Sequence, residues 1–253
     1  MTSSTNSPII LPDTSLCAIV CDEIMNPAGG IVDFVDSTLP YVESGVIVDT
    51  GSKDGTREEL EKLKQKYSHL EVYDLEFQGF AHARNESLKH CKTKRALVLD
   101  ADERLTREDF REIRTELSPA QNLLKEYNLQ GISGYKEYDL NLPKNYSFDI
   151  LKIIGDDYFN VANGFNPRLF EVQGVNFFGD VWELSSASHG TRLRIRIKHF
   201  RPSEILYDKK STEFYRPIKK REIGRIKTPI KPLRDFPFFP DLKKYNPKRE
   251  EYR

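Results

Sequence analysis

Four short apolar runs alternate with helical signals across the first hundred residues, and this alternation limits the fold more than any other feature of the chain. The runs are Leu16 to Cys21, Gly45 to Val48, Leu70 to Leu75 and Ala96 to Leu99. Between them lie Ile31 to Leu39, with apolar residues at helical spacing, then Leu60, Leu63 and Tyr67 on a second helix, and Ala81 to Cys91 as a third. Runs of four to six apolar residues without polar alternation read as strands buried on both faces. Strands alternating with helices in this way predict an α/β/α sandwich around a mainly parallel sheet. Thr56-Arg57-Glu58-Glu59 reads as a capping box opening the second helix, and Thr106 as the cap of a fourth helix reaching Leu117. Ser118-Pro119-Ala120-Gln121 predicts another helix start, with proline at its first position.

Beyond it the pattern changes. Ile132 to Leu140, Ser147 to Ile154, Asn166 to Val172, Val175 to Leu184 and Thr191 to Phe200 read as strands joined by Gly, Asn and Asp turns. Leu193-Arg194-Ile195-Arg196-Ile197-Lys198-His199 alternates strictly, which predicts one dry face and one wet, basic face. A helix over Thr212 to Ile223 precedes a proline-rich end. The organisation is a flexible 1–13, a ligand-binding half over 14–105, a mixed-strand half over 106–207 and a basic extension over 208–253.

Composition excludes several classes. No apolar run approaches the roughly 18 to 20 residues that span a bilayer, and Met1 to Pro8 lacks the charged start and apolar stretch of a secretory leader. Three cysteines, with no CxxC pair, make no disulfide framework and suit a reducing, cytoplasmic setting. The net charge of +0 conceals an asymmetry: residues 208–253 hold 15 Lys and Arg against 7 Asp and Glu, a surplus of eight positive charges that the remainder of the chain balances. Such a tail suits docking on an anion: a diphosphate, an anionic membrane surface, or the acidic body itself.

Ligands of open α/β sheets sit outside the carboxyl ends of the strands. Four polar segments fall there: Cys21-Asp22-Glu23, Asp49 to Thr56, Phe80 to Asn85, and Asp100-Ala101-Asp102. The second is no P-loop, because it lacks Gly-Lys-Ser/Thr and its carboxylates repel phosphate, and no GxGxxG occurs. An acidic loop better suits hydrogen bonding to a base or ribose. If strand geometry continues to Asp102, the period of two places Asp100 and Asp102 on one side. Their hard oxygens then make a seat for Mg²⁺ or Mn²⁺ carrying a phosphorylated ligand. Arg84 is suited to a nucleotide phosphate or base. Glu183, beside the only tryptophan, Trp182, is a candidate base, and His199 a candidate third metal ligand.

Together these segments resemble the family 2 glycosyltransferases of the GT-A fold, and among them the subgroup related to lipopolysaccharide-core glucosyltransferases. That pattern has a first strand ending in Asn-Glu, a D-T-G-S-x-D-G-T loop, an A-R-N helix start and an L-D-A-D-E strand end. Here they stand as Asp22-Glu23, Asp49 to Thr56, Ala83-Arg84-Asn85 and Leu99 to Glu103. The likeness is strong over Ser15 to Leu105, weaker to His199 and absent from the tail.

The resemblance implies a GT-A, Rossmann-like fold and an inverting, metal-dependent hexosyltransferase. A sugar would pass from a nucleotide-diphosphate sugar to a hydroxyl of a glycan, lipid-linked glycan or protein. It places Cys21, Glu23, Asp49, Ser52, Asp54, Arg84, Asp100 and Ala101 around the nucleotide. Asp102, with Asp100 and His199, would hold Mn²⁺ or Mg²⁺, and Glu183 would be the base. The chain departs from the subgroup at Asp22, where Asn is usual, and at Trp182, where His is usual.

The competing readings are a phosphatase, a nucleotidyltransferase and a non-catalytic nucleotide- or nucleic-acid-binding module. A haloacid-dehalogenase-type phosphatase places its nucleophilic Asp early and carries Thr or Val where this chain has Arg104. A nucleotidyltransferase needs a basic, glycine-rich loop where Ile19 to Asn26 is acidic. The intact Asp100 and Asp102 pair speaks against a binding module, so no nucleic acid is expected as a partner.

Overall fold

The computed structural model describes residues 10–24, 26, 28–118, 145–154, 157–161, 167–179, 184–187, 191–200 and 230–232. The first half alternates as its sequence predicts. Strand β1 (Thr14–Val20) is followed by α1 (Gly30–Thr38) and a 3₁₀ turn, then β2 (Ser44–Asp49), α2 (Thr56–Lys66), β3 (Leu70–Asp74), α3 (Phe80–Lys89) and β4 (Arg95–Val98). After these come β5 (Glu103–Arg104) and α4 (Arg107–Glu116). The second half contributes β6 (Asn145–Ile154), β7 (Asp157–Val161), β8 (Leu169–Glu171), β9 (Phe177–Phe178), β10 (Leu184–Ser185), β11 (Thr191–Phe200) and β12 (Ile230–Pro232).

The main sheet runs in the order β12-β7-β6-β8-β4-β1-β2-β3, with β11 bridging β5 and β6 off that path. The β3-β2-β1-β4 portion is parallel throughout. At β8 the direction reverses, and β8 pairs antiparallel with both β4 and β6. The result is a mixed α/β fold: a parallel first half continued by a mixed second half. Because β2 and β4 flank β1 on opposite sides, the β1–β4 boundary is the point where the strand order turns, and there the loops diverge to leave a crevice.

The strand residues sort by pleat. Leu16, Ala18 and Val20 of β1, Ile47 of β2 and Leu97 of β4, with Leu99 just beyond, join the core on one face, under Ile31, Phe34, Leu60, Leu63, Phe110 and Ile113 of α1, α2 and α4. Cys17, Val46, Ala96 and Val98 face the other way, onto Leu88 of α3 and Phe170 and Phe177. Burial on both faces is why these strands read as continuous apolar runs rather than alternating ones.

Three local expectations are corrected, and one strand was not expected. Thr56 does not cap α2 through a capping box: Gly55 precedes the helix in a left-handed conformation, and the Thr56 hydroxyl instead accepts the Glu23 N–H at 2.7 Å. Val175 to Leu184 is not one strand; its described residues give the short β9, which pairs antiparallel with β10. Strand β7 had no sequence signal. The polar face of β11 is not uniformly wet either: Lys198 is buried and paired with Asp109 of α4, because that helix covers this end of the strand. The capping box at Thr106 forms as expected, with Asp109 as its reciprocal partner. Ile132 to Leu140, the helix from Ser118-Pro119 onward, Thr212 to Ile223 and all but 230–232 of the basic extension lie outside the described residues. No helix among the described residues is long and apolar enough to cross a membrane.

Candidate active site

Three loops meet at the carboxyl edge of the parallel strands. The loop after β1 turns at Asp22, a non-glycine residue with φ of 54°. Side chains of the β2 loop hold it there. Ser52 Oγ accepts the Asp22 N–H at 2.9 Å and Asp54 Oδ2 accepts the Ile24 N–H at 3.0 Å, while Asp22 Oδ1 accepts the Lys53 N–H at 2.7 Å. Ser52 and Asp54 therefore lock two loops to each other, a scaffolding role that nothing in their spacing signals. Cys21 and Glu23 sit half-buried on the same loop.

Asp49 ends β2 almost fully buried. Its Oδ1 accepts the N–H groups of Gly51 and Ser52, both at 2.8 Å, while Oδ2 is buried without a hydrogen-bond partner. Asp49 lines a cavity of about 340 Å³ with Gly51, Ser52, Arg57, Asp74, Leu75 and Glu76. A buried acceptor left unsatisfied costs about 1–3 kcal/mol.

The carboxylates after β4 are arranged by a turn rather than by strand pleating, which corrects the expectation from period two. Strand β4 ends at Val98. The Glu103 N–H donates to the Asp100 carbonyl at 2.9 Å, and Glu103 Oε2 accepts the Asp100 N–H at 3.0 Å. Ala101 and Asp102 thus occupy the tip of a turn closed by both main chain and side chain. Ala101 is buried, and its carbonyl accepts Asn26 Nδ2 and Arg104 Nη1, each at 2.8 Å.

Charge converges on this turn. Buried Arg84, from the second turn of α3, pairs with Asp100 Oδ1. Arg168, immediately before β8, lies 2.7 Å from Glu103 Oε1 and 3.8 Å from Asp100 Oδ2. His199 Nε2 is 3.2 Å from Asp102 Oδ2, brought there because His199 pairs with Glu103 across the β11–β5 ladder. Burial acts to raise the Asp100 pKa, but Arg84, then Arg168 and His199, override it and hold the carboxyl well below the usual carboxylate range. For Glu103 burial prevails over Arg168, with help from Asp100, and its pKa is pushed up to about 7. His199 shifts upward because Asp102 outweighs the opposing effect of burial.

Asp49, Arg84, Asp100, Ala101, Asp102 and His199 therefore share one edge. Glu183 and Trp182 lie outside the described residues. Sequence reasoning passes over Asn26, Arg104 and Arg168, whose partners are main-chain carbonyls or distant carboxylates, and spacing does not report such contacts. Asn85, in the sequence only one member of the Ala83-Arg84-Asn85 motif, joins two elements. Its amide donates to the Phe177 carbonyl at 2.9 Å and accepts the Phe177 N–H at 2.7 Å, pinning β9 to α3.

Residues 34–122 match the family model for glycosyl transferase family 2. That span contains the β2 loop, Arg84 and the Asp100–Glu103 turn. A TPR repeat-containing protein of Synechococcus elongatus is 32% identical over 113 residues, covering 45% of this chain and 26% of its own. The chain thus spans about a quarter of that curated relative. Among solved structures, the mannosyltransferase PcManGT from Pyrobaculum calidifontis, in complex with GDP-Man and Mn²⁺, is similar at 22% identity with a TM-score of 0.34, over 46% of this chain and 32% of that one. TarS of S. aureus with UDP aligns at 13% identity, a TM-score of 0.45, and 77% and 62% coverage. GalNAc-T7 with UDP, GalNAc and Mn²⁺ aligns at 13% identity, a TM-score of 0.46, and 79% and 45% coverage.

Proposed function

We propose that this chain carries a family 2 glycosyltransferase domain of the GT-A type that transfers a sugar, a hexose in our reading, from a nucleotide-diphosphate sugar to an acceptor hydroxyl with inversion. The observation that carries the reading is the placement of Asp49, Arg84, Asp100, Asp102 and His199 along the carboxyl edge of the parallel strands, with Arg84 paired to Asp100 and His199 to Asp102 on the turn after β4. The family match over residues 34–122 supports it, because that span contains four of the five.

In this reading Asp49 Oδ2 accepts a hydrogen bond from the base or ribose. Asp100, kept ionised between two arginines, faces the ribose. Asp102 and His199 offer one oxygen and one nitrogen donor side by side, a set that suits Mn²⁺ better than Mg²⁺, which prefers an all-oxygen shell. Among the described residues no group of three or more His, Cys, Asp or Glu is gathered to cage an ion, and this fits an ion bound through one or two protein groups plus substrate phosphates. The ion would supply charge neutralisation for the departing nucleoside diphosphate. Glu183 is the proposed base: it takes the proton from the acceptor hydroxyl as that oxygen bonds to the anomeric carbon and the bond to the diphosphate breaks. The acceptor is a glycan, a lipid-linked glycan or a protein, and the basic extension docks the domain on an anionic surface.

A thermal-shift panel of UDP- and GDP-sugars with Mn²⁺ tests the reading, since a ligand that binds only the folded state raises its apparent stability. Asp102→Ala is expected to abolish the Mn²⁺-dependent shift, and Glu183→Gln to keep the shift while losing transfer. Retention of the shift in the first variant, or normal turnover in the second, removes that residue from its role.

A further inference from the structure

We infer that Arg168 is a positioning residue of this site, the second arginine that fixes Asp100 and the turn presenting Asp102; the inference rests on the function proposed above. Neither the composition nor any motif marks this residue, and it comes from the mixed half of the sheet, outside the segment that matches the family model.

The main chain of Arg168 is held from two sides. Its carbonyl accepts the Val98 N–H at 2.7 Å, and its own N–H donates to the Tyr146 carbonyl at 3.0 Å. Position 168 is therefore fixed between β4 and β6 at the end of β4 that leads into the Asp100 turn. From there the guanidinium meets Glu103 Oε1 at 2.7 Å and stands 3.8 Å from Asp100 Oδ2. Glu103 has no exposure to solvent. One of its oxygens is committed to the Asp100 N–H and the other to Arg168.

Asp100 thus meets two arginines through different oxygens, with Oδ1 on Arg84 of α3 and Oδ2 facing Arg168. Two carboxylates three residues apart on one turn repel each other, and Arg168 is the arginine that faces both. A planar guanidinium can address two acceptors with fixed angles, where an ammonium acts as a point charge. Since Asp102 sits at the tip of the same turn, whatever holds Asp100 and Glu103 also sets where Asp102 is presented.

The test measures binding rather than turnover. Mn²⁺ with UDP, and separately with GDP, is titrated calorimetrically into the full chain and into Arg168→Gln, Arg168→Lys and the double variant Glu103→Gln/Arg168→Gln. Arg168→Gln is expected to weaken Mn²⁺–nucleotide binding by roughly 10- to 100-fold, as losing the support behind a metal ligand does. Arg168→Lys should recover part of that loss. The double variant leaves no uncompensated buried carboxylate, so it is expected to melt close to the unmodified chain yet still bind weakly. If the folded double variant binds within about twofold of the unmodified chain, Arg168 is only the counter-ion of Glu103 and the inference falls alone. If the unmodified chain binds neither nucleotide with Mn²⁺, the proposed function falls and takes the inference with it.

Discussion

Arg104→Met isolates the contribution of one fully buried guanidinium to the crevice. Arg104 has no exposure to solvent. Its Nη1 donates to the carbonyls of Ala101 and Glu103, both at 2.8 Å, and its Nη2 to those of Ala28 at 3.0 Å and Gly30 at 3.2 Å. Its guanidinium carbon also stands 5.3 Å from the centre of the Phe34 ring. One side chain therefore ties the entry to α1 to the Asp100–Glu103 turn. Methionine keeps most of the apolar stem but donates nothing. Four carbonyls lose a charge-assisted donor, and of these Ala101 still receives Asn26 Nδ2. At about 1.5–3 kcal/mol for a hydrogen bond to a charged group, the gross loss is several kcal/mol. Part is returned because a buried cation no longer has to be desolvated. The expected net cost is about 3 kcal/mol, which for a chain of this size is a fall in Tm of roughly 10 °C. Urea unfolding followed by circular dichroism measures the first quantity and a melting scan the second. An unchanged m-value would show that the unfolded state is not the cause. Arg104→Lys should fall between the two, because an ammonium cannot reach carbonyls on both loops at once. A loss below about 1 kcal/mol for Arg104→Met would refute the argument that this clamp sustains the crevice.

Two further outcomes follow from the same geometry. Glu103 holds its proton more tightly in the folded chain, with a pKa of about 7 against an ordinary 4.5, so the folded state binds more protons in that window and stability falls as pH rises through it. His199, also raised, adds stability that is full below its ordinary value of 6.5 and is lost as pH rises through its higher folded value. Denaturation midpoints should therefore decline from about pH 5 to pH 8, and Glu103→Gln should flatten the slope; a midpoint that rises over this range would contradict the assignment. At Gly30, φ is +78° and an added Cβ would stand 2.6 Å from the Ile24 carbonyl oxygen. Gly30→Ala is accordingly expected to cost about 2–3 kcal/mol in denaturant unfolding, and a neutral result would mean that the loop after β1 yields freely.

The sequence by itself determined the sandwich and the edge on which its polar loops gather. Runs such as Leu16 to Val20 and Ala96 to Leu99 are apolar at every position because helices cover both faces of those strands, and that is a local, periodic signal. Polar residues that follow such strands fall at the carboxyl edge whatever the rest of the chain does, so Asp49, Arg84, Asp100 and Asp102 are assignable to one site without knowledge of any contact. His199 is reachable from the sequence as a candidate only, since its approach to Asp102 depends on the β11–β5 pairing.

Tertiary structure alone decided how that edge is held. Glu103 closes its own turn and Arg168 enters from β8, while Arg104 and Asn26 direct their donors to carbonyls some 75 residues away in the chain. These contacts have no period, and their partners are main-chain atoms present at every residue, so no spacing encodes them. The approach of Arg168 to Asp100 and of His199 to Asp102 exists because β8 and β11 close against β4 and β5, and only the assembled sheet brings those strands together.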